Sequence, residues 1–183
     1  MNLLIDTHFN DIVVMLFDNE NNIVKEKIIT EEKQNSKFLM PAIKKILNKQ
    51  TPDSILVING PGSFTGVRLG VTSAKTLAYT LNIPIKAITS LKCLALSTDE
   101  ENKIIGFSDN NGYYIGIFTK ECEIVGDYEY LSKKEFEEYS KKYSVLTDIK
   151  IDYKKVCEYS HTIEPVNPHE VNPIYIKKLD VEK

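Results

Sequence analysis

At 183 residues the chain can bury a real core, as one domain or as two small lobes. Its 42% hydrophobic and 27% charged residues are an ordinary globular balance, and no apolar run approaches the roughly 20 residues that span a bilayer. A formal net charge of −3 argues against a chain that grips nucleic acid by itself, because that task needs a basic patch neutralising several phosphates.

The opening MNLLIDTHFNDIVV has no basic stretch and meets Asp6 early, so it reads as strand and core rather than as a signal peptide. Leu3–Asp6, Ile12–Phe17 and Ile23–Ile29 read as three strands. Their connections are too short for helices, and the turn formers at 18–22 join the last two, so an antiparallel meander is expected. From Ser36 to Lys49 the residues Leu39, Met40, Ile43, Ile46 and Leu47 recur at helical spacing, with Ser36 as N-cap. Pro41 removes a backbone donor inside that stretch, which predicts a kink or a late start. Ile55–Ile58 is a continuous apolar run, as in a strand covered on both faces.

A glycine-rich loop follows, then a helix over Gly66–Leu81, a strand at Ile85–Ile88 and a helix over Leu91–Ser97. Beyond these, Lys103–Ser108, Tyr113–Thr119 and Glu123–Tyr130 read as three further strands. A helix over Lys133–Lys142 and a strand at Val145–Thr147 come next. Lys133, Lys134, Lys141 and Lys142 are interleaved with Glu135, Glu137 and Glu138, a solvated helix face rather than a nucleic-acid stripe. After Tyr159 three prolines predict an extended surface tail. Cys93, Cys122 and Cys157 form no CxxC pair, so a reduced, cytoplasmic protein is expected.

Three antiparallel strands followed by helix, strand, helix, strand is the order of one half of the actin-like ATPase superfamily, an α/β fold on a ribonuclease-H-like sheet. The second half is a shortened echo of it. Two lobes are therefore expected, residues 1–100 carrying any partner interface and residues 101–183 forming a reduced lobe with the tail.

The most specific stretch runs from Asn59 through Gly60, Pro61, Gly62, Ser63, Phe64, Thr65 and Gly66 to Gly70. It is a strand end, a tight turn and a helix start, where outward backbone amides favour anions and Ser63 or Thr65 can cap the helix or meet a phosphate. The Lys-Ser/Thr pair of a P-loop is absent. Phosphate site and rigid turn stand level on this chemistry. In the helix, Gly66, Gly70, Ala74 and Ala78 make a stripe of small residues, flanked by Val67, Val71, Leu77 and Leu81. Such a stripe admits a closely packed partner helix, or packs on the chain's own sheet as is commoner; two apolar faces favour the partner.

The run Gly60–Gly70 closely resembles the signature of the TsaB (YeaZ) family, whose members help make threonylcarbamoyladenosine next to the tRNA anticodon. Leu4-Ile5-Asp6-Thr7 is similar to the family's first strand and degenerate phosphate turn. Asn35–Pro41 resembles the start of its first helix, Thr89-Ser90-Leu91 the segment after its fifth strand, and Asn172–Lys177 its closing segment. At 108–114 only Asp109 and Gly112 keep the family pattern.

The resemblance implies a non-catalytic scaffold that dimerises with the related catalytic subunit TsaD, with the ATPase TsaE joining, and that pairs with itself when alone. tRNA is then reached only through the complex. The interface maps onto Ser36, Leu39, Met40, Ile43, Gly66, Val67, Gly70, Val71, Ala74 and Ala78. The degenerate phosphate loop maps onto Asp6, Thr7 and Gly60–Thr65, namely Gly60, Pro61, Gly62, Ser63, Phe64 and Thr65.

No cofactor, metal site or catalytic residue is expected. The histidines are His8, His161 and His169, and none forms HxxxH or HExxH. His161, Glu164, His169 and Glu170 are a loose set in the tail. Asp6 and Asp109 are candidate paired carboxylates across a cleft, with Asp6 the better candidate for satisfying backbone donors at its own turn. The alternative to the scaffold is a small ATP-binding enzyme using the Gly60–Gly66 loop.

Overall fold

A computed structural model describes residues 1–30, 36–101 and 103–176. Asn35 and Lys177, two ends of the resembling segments, lie outside the described residues. Strands β1 (Asn2–Asp6), β2 (Asp11–Phe17) and β3 (Ile23–Thr30) form the expected antiparallel meander. Asp18 closes the second turn, its Oδ1 accepting from the backbone of Glu20 and Asn22, both at 2.9 Å. Helix α1 (Ser36–Leu47) leads to β4 (Ser54–Ile58), which lies parallel to β1. Helix α2 (Phe64–Leu81) then crosses to β5 (Ile85–Ile88), parallel to β4. The sheet order is β3-β2-β1-β4-β5.

The two-residue period of the strands divides the core. Leu3, Ile5, Ile55 and Val57 face α1 and α2, meeting Leu39, Ile43, Val67, Val71 and Ala74. Leu4, Leu56 and Ile58 face the other way, onto α3 (Ser90–Leu96) and α5 (Tyr153–Ser160) through Cys93, Val156 and Cys157. A second sheet of β6 (Lys103–Ser108), β7 (Gly112–Phe118) and β8 (Glu129–Ser132) is antiparallel. Helix α4 (Lys133–Ser140) follows it, closed by a Ser132–Glu135 capping box and burying none of its residues.

Several expectations need correction. Ser36 is the first residue of α1 rather than its cap, and Pro41 sits sixth in a helix that starts on time. The helix stops at Leu47 because Asn48 and Lys49 turn left-handed, at φ 45° and 70°. The strand expected over Glu123–Tyr130 is confined to β8. Left-handed backbone at Cys122 and Gly126, φ 61° and 78°, breaks the extended run, leaving one bridge between Phe118 and Ile124. Val145–Thr147 contributes a single parallel bridge, Leu146 to Ile105.

Helix α5 was not anticipated. Asp152 caps it by accepting from Lys154 and Lys155, and Tyr153, Val156 and Cys157 fall at helical spacing, a signal the sequence did contain. The tail runs largely over the surface, as expected, but it is pinned to the fold. Val166 bridges Ile85, Val171 enters the first core, and the backbone N–H of Ile174 donates to the Asn59 carbonyl at 2.8 Å.

Candidate functional site

The signature loop begins where β4 ends, and several of its backbone groups are bonded within the protein. Ser63 N–H donates to the His8 carbonyl at 2.8 Å, and Ser90 holds the other side, its N–H on Gly60 O at 2.9 Å and its hydroxyl on Pro61 O at 2.6 Å. A Cβ on Gly62 would stand 2.3 Å from the His8 carbonyl oxygen, so only glycine lets the loop lie flat on the β1–β2 turn. Ser63 is the helix cap, its hydroxyl accepting from Gly66 N–H at 3.3 Å. Phe64 and Thr65 form the exposed first turn of α2.

Behind the loop the acidic end of β1 is closed off. The Asp6 Oδ1 takes the His8 backbone N–H at 3.0 Å and lies against His8 Nδ1, and its Oδ2 takes the Tyr153 hydroxyl at 2.8 Å. Burial pushes the Asp6 carboxyl up, but the His8 imidazole and the hydrogen bonds from His8 and Tyr153 outweigh it and hold the group below its ordinary value. Burial, together with the Asp6 charge, raises the Tyr153 hydroxyl. Thr7 is fully buried, its hydroxyl donating to the Gly66 carbonyl at 2.6 Å. Asp6 therefore does satisfy backbone at its own turn.

In front of the loop lies a cavity of about 840 Å³ between the two sheets, walled by His8, Ser63, Arg68, Phe107, Asp109 and Tyr175. Asp109 reaches it but Asp6 does not, so the two carboxylates do not form a facing pair. The Asp109 Oδ1 accepts from Asn111 N–H, Gly112 N–H and the Tyr130 hydroxyl, which ties the β6–β7 turn. Arg68, the single arginine, lies 3.7 Å over the Phe64 ring and donates to the Tyr175 hydroxyl at 2.7 Å. Sequence reasoning missed this Arg68–Tyr175 closure, because its halves are 107 positions apart. His8 Nε2 and Asn59 Oδ1 are buried polar atoms without a hydrogen-bond partner.

The candidate interface is rearranged. Gly66, Val67, Gly70, Val71, Ala74 and Ala78 are all buried under α2, as are Leu39 and Ile43 under α1. Gly70 is pressed so closely on β1 that a Cβ there would lie 2.3 Å from Thr7 Oγ1. The small-residue stripe thus packs on the chain's own sheet, the commoner use. Ser36 and Met40 remain exposed on α1. The outer face of α2 presents Thr65, Arg68, Thr72, Thr76 and Tyr79, the last 68% exposed.

The tail histidines are separated: His161 pairs with Asn21 at 2.7 Å, whereas His169 stacks edge-on against Tyr79. Among the described residues no group of three or more His, Cys, Asp or Glu could hold a metal ion. No helix among them is long and apolar enough to cross a membrane.

Residues 22–108 match the family described as TsaD, tRNA N6-adenosine threonylcarbamoyltransferase. Over 98 residues the chain is 44% identical to the tRNA threonylcarbamoyladenosine biosynthesis protein TsaB of Bacillus subtilis, covering 51% of this chain and 42% of that protein. A TsaB of Buchnera aphidicola is 32% identical over 83 residues, 40% of each chain. The matches thus span less than half the length of these two relatives. An uncharacterized protein of Mycoplasma pneumoniae is 28% identical over 141 residues, 73% of this chain and 69% of that one. In fold, a Pseudomonas aeruginosa protein described as similar to the peptidase YeaZ superposes with a TM-score of 0.76 at 18% identity, over 96% of this chain and 99% of that one. The YeaZ of the same organism gives 0.75, also at 18%, over 95% and 98%.

Proposed function

We propose that this chain, which is similar to TsaB over about half of its length and shares the fold of YeaZ, is a non-catalytic subunit of the machinery that places threonylcarbamoyl on the adenosine next to the tRNA anticodon. The observation that carries the reading is the 44% identity to the Bacillus subtilis TsaB. The loop supports it: the Ser63 and Gly66 amides and the Asp6 carboxylate are bound internally and are not presented to a nucleotide's phosphates. In this reading the chain dimerises with TsaD and works with TsaE, and contacts tRNA only through the assembly. The exposed faces of α1 and α2, with Met40, Thr72, Thr76 and Tyr79, supply the contact.

The test is reconstitution of threonylcarbamoyl transfer from cognate purified proteins, with and without this chain, reading the modified nucleoside by mass spectrometry. Modification that collapses without the chain and returns with it, while the chain alone does nothing, is the expected result. A complete mixture indifferent to its presence overturns the proposal.

A second reading, a small ATP-binding enzyme, draws on the 840 Å³ cavity. Calorimetry of the isolated chain with ATP decides it, since heat of binding favours this reading and none removes it.

A further inference from the structure

We propose that Lys103 and Cys122 form an oxidisable pair that closes to a covalent Nζ–O–Sγ bridge in the presence of dioxygen. The two side chains come from β6 and from the turn after β7, and Lys103 Nζ lies 3.1 Å from Cys122 Sγ. Both residues are nearly enclosed, at 3% and 7% exposure. Each reacting atom is held in place. Lys103 Nζ donates to the carbonyls of Ala95 at 3.0 Å and Thr98 at 2.7 Å, leaving its third N–H for sulfur. Cys122 Sγ contacts the same Ala95 carbonyl at 3.3 Å, and the Cys122 backbone is fixed from the other side by the Lys92 ammonium on its carbonyl.

Two buried groups held at hydrogen-bond distance react as an intramolecular pair, at a high effective concentration. A buried ammonium whose recorded acceptors are two carbonyls and one sulfur is a costly arrangement for a side chain that is mostly found in water. An apolar residue would fill the space more cheaply.

Counted from the amine and the thiol, each gives up one hydrogen. These leave with one oxygen atom of dioxygen as water, and the other oxygen atom bridges nitrogen and sulfur. Nitrogen and sulfur are each oxidised by two electrons, and dioxygen accepts all four. The remaining thiols do not compete for the partner: Cys93 and Cys157 sit in the other core cluster, where burial raises both, Cys157 to about 12. The bridge would fasten the start of the second sheet to the 119–122 turn, beside the end of α3.

The experiment is peptide-level mass spectrometry of the full-length protein, digested after days in air-saturated buffer and, in parallel, after anaerobic storage with a thiol reductant. The expected result is a cross-linked peptide joining Lys103 to Cys122, heavier than the two free peptides by about 14 Da and returned to them by reductant. It should be absent from Cys122→Ser and from the anaerobic sample. Cys122 recovered free under air, or only as sulfenic, sulfinic or sulfonic acid with Lys103 unmodified, overturns the proposal. Neither result depends on tRNA modification, so this inference and the functional one fail separately.

Discussion

Placing one carbon on Gly70 separates the two uses of the small-residue stripe. In Gly70→Ala the new Cβ stands 2.3 Å from Thr7 Oγ1 and 3.8 Å from Ile5 Cγ2, where α2 lies against the end of β1. Overpacking of that kind costs about 1–3 kcal/mol. Moving the Thr7 hydroxyl off the Gly66 carbonyl adds roughly 1–3 kcal/mol for a buried hydrogen bond. The higher helix propensity of alanine returns about 1 kcal/mol. A net loss of about 3 kcal/mol is expected, read from urea unfolding followed by circular dichroism with an unchanged slope. Thr7→Ala removes the obstacle, because the nearest atom then left at that residue is its Cβ, 3.6 Å away in ordinary contact. In that background Gly70→Ala should be neutral or stabilising. If Gly70→Ala leaves wild-type stability intact, or costs the same in both backgrounds, the stripe does not pack on β1 and the reasoning fails.

Two further predictions concern the acidic turn and the outer helix faces. Asp6 has a folded-state pKa below its unfolded value, so its contribution to stability is fully present above the unfolded pKa of about 4 and is lost as pH falls through the lower, folded value. Asp6→Asn should flatten stability against pH in that acid window; an unchanged acid limb in denaturant titrations would count against the Asp6–His8–Tyr153 network. Tyr79→Asp and Met40→Asp change side chains 68% and 46% exposed, so unfolding free energy should stay within about 0.5 kcal/mol of wild type. The same variants should weaken binding to a TsaD partner at least tenfold by calorimetry, and undiminished affinity would place the interface elsewhere.

The elements of the first sheet were legible because local pattern and tertiary need agree there. Ile55–Ile58 is apolar throughout since it lies between β1 and β5 with helices on both faces. The second half was less legible because its breaks depend on single backbone conformations, such as Cys122 and Gly126, that periodicity does not register. The site divided the same way. Ser63 as helix cap and Asp6 as turn former follow from residue chemistry alone. Which way the Gly66–Ala78 stripe faces did not, since small residues suit a sheet and a partner helix equally. Contacts such as Arg68 to Tyr175 and Tyr153 to Asp6 join residues more than a hundred positions apart, and no local window can find them.

The return of the tail to Asn59 has a consequence for how the protein is made. The side-chain amide of Asn59 donates to the carbonyl of Asn172, 113 positions later, and Val171 completes the core beneath α1 and α2. Closing so long a loop adds little entropy beyond closing a shorter one, so the native state loses little by it. Translation is another matter. Until the later residues are made, the side-chain amide of Asn59 lacks its Asn172 acceptor and the first core lacks Val171. The half of the chain that carries the signature loop thus reaches its finished set of contacts only once the segment around Val171 and Asn172 has emerged.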